Sequence, residues 1–227
     1  MSEKTVGVIG GMGPEATVEF LRRLVACTPA KDDADHLHVL IDNNPKVPSR
    51  IKALIEGTGE DPVPVLQDMA RKLESQGADL LTMPCNTAHH YLPQIAAAVR
   101  IPVLDMVALS VERLKNGPKT VGILATPAVR MVGLYAARLE EAGLRPLFPS
   151  PADEALLFEV IRGVKAGKPD QATYKAVTDR MTEADIFLVA CTELSILRPP
   201  AKGAVDALDV LVEATIKAAA AGSPPSR

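Results

Sequence analysis

Two cysteines carry the clearest chemical signal in the chain. Cys85 lies in LLTMPCNTAHH (80–90), where an apolar run ends at Pro84 and the small polar residues Asn86 and Thr87 follow. Cys191 lies in IFLVACTELSIL (186–197), again an apolar run and a cysteine, then Thr192 and Glu193. Each cysteine stands where a strand would hand over to a helix. A helix N-terminus lowers a thiol's pKa from about 8.5 towards neutrality, which makes the thiolate available as a base. Two such thiols in matching positions are therefore expected to face one cleft. Cys27, between Ala26 and Thr28 in an amphipathic segment, reads instead as a small core hydrophobe. Three cysteines with no C-x-x-C pair make no disulfide framework, and the four histidines lack zinc-ligand spacing around them. No metal is expected.

Polar residues near these motifs have competing readings. Asn86, Thr87 and Thr192 are good helix caps, yet the same helix starts would offer N–H groups to a carboxylate. Arg50 follows Ser49, a natural cap, so its charge sits at the unfavourable end of a helix dipole. An arginine in that position suits bidentate binding of an anion, with a solvated surface arginine as the plain alternative. Lys165 precedes Gly167 in a last helical turn, where a lysine is expected on electrostatic grounds alone. Dipole preference equally explains Glu193, and capping explains Asp105 and Asp206. Spacing does not decide whether His89 or His90 faces the cleft. GMGPEA (11–16) fits a variant of the dinucleotide-binding fingerprint, but the equivalent ATPAVR in the second half contains no glycine.

The elements that would position these residues follow from punctuation and apolar period. TVGVIG (5–10) reads as a buried parallel strand, and Pro14 opens a helix after it. HLHVLID (36–42) is a second strand, followed by the loop NNPKVPSR and a helix from Asp61 and Pro62 to Gly77. ADLLTM (78–83) is a third strand, a helix is expected from Asn86 to about Val99, and IPVLD (101–105) is a fourth strand. KTVGILATPAVRMVGLYAARLEEAG (119–143) then begins the pattern again, ADIFLVACTEL carries the second cysteine, and AVDALDVLVEATIKAAAAG matches IPVLDMVALSVERLKNG. Strand–Pro-helix, strand–Cys-helix and strand–Asp-helix thus occur twice. The expected fold is α/β: two similar Rossmann-like lobes with parallel sheets, related by a pseudo-twofold axis, with the active site between them. Residues 1–105 with 207–227 would form the N-terminal lobe and 106–206 the C-terminal one. The tail GSPPSR reads as frayed.

Composition removes several classes of function. The 227 residues are 47% hydrophobic and 23% charged, which suits a globular domain and not a disordered chain. A net charge of −3 without a basic block, and the absence of Trp, argue against nucleic acid and anionic membrane surfaces. The chain offers neither a leader peptide nor a long apolar span, so a cytoplasmic protein is expected.

GVIGGMGPEAT, NNPKVPSR, MPCNTAH, VGILAT, GVKAG and ACTEL, in order over nearly the whole chain, resemble the aspartate racemase family within the aspartate/glutamate/hydantoin racemase superfamily. The resemblance implies a racemase that needs no cofactor and uses Cys85 and Cys191 as base and acid. It implies that Arg50 and Lys165 bind the side-chain carboxylate of a small acidic amino acid. Asn86, Thr87 and Thr192, with Met12 and Thr126, would line the rest of the substrate site. It also implies a homodimer. Two departures stand out: Thr126-Pro127-Ala128-Val129 replaces the family's TDGT, and Ala190 replaces the glycine before the second cysteine. Rival readings are a racemase of broader or different specificity, glutamate included, a dinucleotide-binding oxidoreductase, and a catalytically silent amino-acid binding module.

Overall fold

The computed structural model describes residues 3–117 and 119–220; the tail GSPPSR lies outside them. The first half runs β1 (Val6–Gly10), α1 (Pro14–Cys27), β2 (Val39–Asn43), α2 (Val63–Ser75), β3 (Leu80–Thr82), α3 (Leu92–Ala96) and α4 (Met106–Leu114). The second runs β4 (Thr120–Leu124), α5 (Pro127–Met131), α6 (Ala136–Glu141), β5 (Arg145–Leu147), α7 (Pro151–Lys165), α8 (Gln171–Arg180), β6 (Ile186–Val189), β7 (Ala204–Asp206) and α9 (Ala207–Ala220). Pro14, Pro127 and Pro151 each occupy a first helical turn, where their missing N–H leaves no bond unmade. Asp105 accepts from the Val107 and Ala108 N–H groups and caps α4.

The strands form two parallel sheets, in the orders β2-β1-β3 and β5-β4-β6-β7. Val6 pairs with Val39 and Leu80, and Val121 pairs with Pro146 and Ile186. The sheets share one plan, β5-β4-β6 repeating β2-β1-β3. The expected fourth strand at 101–105 shrinks to a single bridge, Leu81 to Val103, in the position β7 takes in the other sheet. Pro102 explains this: its carbonyl accepts from Leu81 N–H at 2.8 Å, but it has no N–H to continue a ladder. The single helix expected after Pro127 is also broken, at Gly133 with φ +63°, into α5 and α6.

Period-two alternation sends each sheet's residues into different cores. Val6, Val8 and Leu80 of one sheet and Val121, Ile123 and Leu188 of the other face a shared core filled by α1, α4, α6 and α9. Ile9 and Leu81 face an outer core with α2, and Leu124, Phe187 and Val189 face another with α7 and α8. Arg23 of α1 fastens the two halves. Its guanidinium donates to Asp206 and Asp209 at 2.7 Å each and to the Ser195 carbonyl. Among the described residues no helix is long and apolar enough to cross a membrane.

Candidate active site

Loops at the carboxyl ends of β1, β2, β3, β4 and β6 meet over one pocket of about 340 Å³, its open mouth included. Its lining is Met12, Arg50, Ile51, Cys85, Asn86, Thr87, Thr126, Lys165, Cys191, Thr192 and Glu193. The structure thus brings together every residue that the sequence nominated for the site. Ile51 and Glu193 are added.

The loop after β1 owes its path to Gly11. At φ +93°, a Cβ on Gly11 would sit 2.3 Å from the backbone of Asn44, so only glycine lets the two loops touch. That contact aims Met12 into the pocket, and its carbonyl accepts from Arg50 Nη2 at 3.4 Å. The fingerprint-like GMGPEA therefore packs against its own chain. Ser49 caps the turn after β2, its hydroxyl accepting from Lys52 N–H at 3.3 Å. Arg50 Nη1 donates to the carbonyls of Val47 (3.4 Å) and Pro48 (3.1 Å). Its Nε is buried without a hydrogen-bond partner, and no carboxylate of the described residues pairs with it. A cation held by neutral carbonyls retains its attraction for an anion.

Neither cysteine heads a long α-helix, contrary to the sequence expectation. Cys85 is followed by a 3-10 turn (Thr87–Tyr91) and the short α3, and Cys191 by a single 3-10 turn (Leu194–Ile196). Pro93 falls inside the first segment and Pro199-Pro200 closes the second, so neither builds the run of aligned peptides that makes a strong dipole. The thiol environment follows from burial instead. Burial pushes the Cys191 thiol well above the usual cysteine range, and the Glu193 carboxylate beside it pushes further, with only partial relief from Lys165. Cys191 Sγ donates to Glu193 Oε2 at 3.1 Å. Lys165 Nζ lies 3.2 Å from Glu193 Oε1, with its side chain 45% exposed at the mouth. Burial lowers the Lys165 ammonium, but the negative charge of Glu193 beside it outweighs this and holds the group above its ordinary value.

The caps expected of Asn86 and Thr192 are not made. Asn86 Oδ1 accepts from the buried Tyr135 hydroxyl, which leaves its Nδ2 buried with no partner. Such a donor is costly to leave unpaired, about 1–3 kcal/mol, and a substrate oxygen would relieve it. The Thr87 and Thr126 hydroxyls lie 3.3 Å apart and join the two halves across the pocket floor. His89 is buried behind it: Nδ1 lies 2.8 Å from the Cys85 carbonyl, and Nε2 accepts from Met106 N–H at 3.1 Å. His90 is exposed. Cys27 is exposed as well, not in the core, because it ends α1 beyond its buried face of Ala16, Thr17, Phe20 and Leu24.

Sequence reasoning left Glu193 to dipole preference and His89 undecided, and missed Tyr135. The Cys-x-Glu spacing at 191–193 was the available clue for the first; no local pattern pairs Tyr135 with Asn86.

Residues 9–221 match the Asp/Glu/Hydantoin racemase family. The chain is 27% identical over 197 residues to the broad specificity amino-acid racemase RacX of Bacillus subtilis (strain 168), covering 84% of this chain and 86% of the relative. It superposes on the aspartate racemase of Picrophilus torridus with a TM-score of 0.87 at 33% identity, covering 95% of this chain and 94% of the other. A glutamate racemase of Francisella tularensis in complex with D-glutamate gives a TM-score of 0.67 at 16% identity over 100% of this chain and 86% of that one, a likeness of fold alone. The fold, the shared pocket and the match over nearly its whole length place this chain in the Asp/Glu/Hydantoin racemase family, and with it among the isomerases.

Proposed function

We propose that this protein interconverts L- and D-aspartate without a cofactor, using Cys85 and Cys191 as the two bases. The observation that carries this reading is that both thiols line one pocket with two cations, Arg50 and Lys165. One sulfur, as thiolate, takes the α-proton: the Cα–H bond breaks, an S–H bond forms, and the electron pair stays on a planar carbanion. The opposite thiol delivers its proton to the other face, and the enantiomer results. The α-proton next to a carboxylate is very weakly acidic, so the growing charge needs fixed donors in a cleft that excludes water. Asn86 Nδ2 and the hydroxyls of Thr87, Thr126 and Thr192 would meet the α-carboxylate and amino group. Arg50 and Lys165 would hold the side-chain carboxylate, with Met12 closing the wall beside them.

A second reading is a racemase of broader range. It is favoured by the RacX relative and by Glu193, whose carboxylate already occupies Lys165. One experiment separates these readings. Metal-stripped, pyridoxal-free protein is incubated in deuterium oxide with a panel of L-amino acids, and circular dichroism and Cα deuterium are followed. Aspartate is expected to racemise with deuterium entering Cα. Cys85→Ala and Cys191→Ala should each abolish this, by at least about 10³-fold, and Cys27→Ala should leave it intact. Arg50→Ala should cost acidic substrates roughly tenfold more than alanine, the worth of one charge-assisted hydrogen bond. Full activity in either single-cysteine variant would end the two-base reading.

We further infer that the protein works as a homodimer in the cytoplasm. The cytosol keeps thiols reduced, which suits three unpaired cysteines. Val18 and Val25, seven residues apart on one face of α1 and 63% and 50% exposed, suit contact with a second copy. Light scattering that returns the mass of one chain would remove the dimer.

A further inference from the structure

Glu193 is the one ionisable group in the pocket to which the two-base reaction gives no part. It is 6% exposed, and burying a carboxylate is expensive. Two ordinary explanations account for only part of this. It stands where a cap would stand before the turn Leu194–Ile196, yet its side chain bonds no backbone N–H there. Its ion pair with Lys165 offsets part of the cost of burial, but it engages Oε1 alone. What remains is its bond from the Cys191 thiol, 3.1 Å long and buried.

We propose that Glu193 is the positioning residue that makes the two thiols unequal: its carboxylate holds the proton on Cys191, so that in the empty cleft Cys191 is the proton donor and Cys85 the acceptor. The assignment of donor and acceptor rests on the two-base reading above; the hold on the proton does not. The charged and titratable groups around Cys191 are Glu193 itself, Lys165 from α7, Arg50 and Cys85 from the loops opposite, and Tyr174 of α8 behind. Of these, Glu193 alone accepts a hydrogen bond from the thiol.

A racemase must accept both enantiomers, and the second one presents its α-hydrogen to Cys191. The proton on Cys191 then has to leave first. The S–H bond breaks, an O–H bond forms on Glu193 Oε2, and the negative charge passes from carboxylate to sulfur, while Cys85, the acceptor of the empty cleft, binds a proton from water. The Cys191 thiolate then takes the α-proton, the Cys85 S–H delivers its proton to the opposite face of the carbanion, and Glu193 returns its proton to water. The equilibrium constant between mirror images is unity, so kcat/KM for the two enantiomers must be equal at every pH. Inequality of the thiols appears instead in kcat, with KM moving to compensate.

The test is the pH dependence of alkylation at Cys191, read by mass spectrometry with iodoacetamide, with Cys27 as internal reference. Glu193→Gln keeps the shape of the side chain and removes its charge. It is expected to speed labelling of Cys191 at neutral pH by roughly tenfold or more, the effect of one pKa unit on the thiolate fraction. Lys165→Met, at a partly exposed site, is expected to slow it, and serves if the first variant does not fold. The ratio of kcat values for the two enantiomers should move towards unity in Glu193→Gln. Unchanged or slower labelling in Glu193→Gln, or faster labelling in Lys165→Met, overturns the proposal. Labelling shifts as expected in a protein that racemises nothing would leave the hold on the proton standing and remove the two-base reading.

Discussion

Cys85 and Cys191 end equivalent strands, yet different groups grip them. Cys191 is held through its sulfur by Glu193, and Cys85 through its carbonyl by His89. Because His89 Nε2 accepts from Met106 N–H, Nδ1 carries the proton and the ring is neutral. Burial holds its pKa below the ordinary 6.5, which has a definite sign for stability. The unfolded chain takes up this proton first, so stability is full above pH 6.5 and falls as pH drops towards the folded value. The loss approaches about 1.4 kcal/mol per pH unit at most, and protonation also removes the acceptor for Met106. Urea denaturation between about pH 5 and pH 7 should show this slope in the native protein and lose it in His89→Asn. Retention of the whole slope would assign it to other groups. The residue types of the site were legible in the sequence because cysteine, arginine and small polar residues cluster at strand ends. The partners of Glu193 and Asn86 were not, since Lys165 and Tyr135 reach them only through the fold.

Helix lengths separated expectation from structure more than helix positions did. Strands β1, β3, β4 and β6 lie where apolar runs bounded by glycine and proline placed them. The segments after the cysteines did not become long helices, because Pro93 and Pro199-Pro200 interrupt them, and residue type alone does not distinguish a 3-10 turn from the start of an α-helix. Strand β5 had escaped notice: Arg145–Leu147 is three residues long, with a proline in the middle. The loop after β1 is the element on which the pocket most depends. Gly11→Ala places a methyl group against the Asn44 backbone in a conformation that L-residues avoid. The cost should be about 3 kcal/mol, from overpacking and backbone strain together. Displacing Asn44 also separates Met12 from Arg50, so kcat/KM for acidic substrates should fall by more than roughly tenfold in the variant that still folds. Thermal unfolding and steady-state kinetics measure the two effects, and a neutral result in both would refute the close-approach argument.

The repeat in the sequence made the two-sheet plan readable, and the shared core is what it left out. We propose that one lobe consists of residues 1–105 with 207–227 and the other of 106–206, because α9 returns from the end of the chain to pack against α1 and β3, while its contacts with α4 and β7 join the two lobes. Native-state hydrogen exchange tests this. The amides of α9 should open together with β1–β3 as one cooperative unit, and exchange in step with β4–β6 would move the boundary. The packing of α9 also bears on how the protein is made. Leu208, Leu211 and Val212 cover apolar faces of α1 and of the sheet that contains β3, both synthesised long before them. During synthesis both cysteines therefore enter the chain before the helix that covers these faces, and a chain ending before α9 leaves the apolar faces of α1 and β3 uncovered.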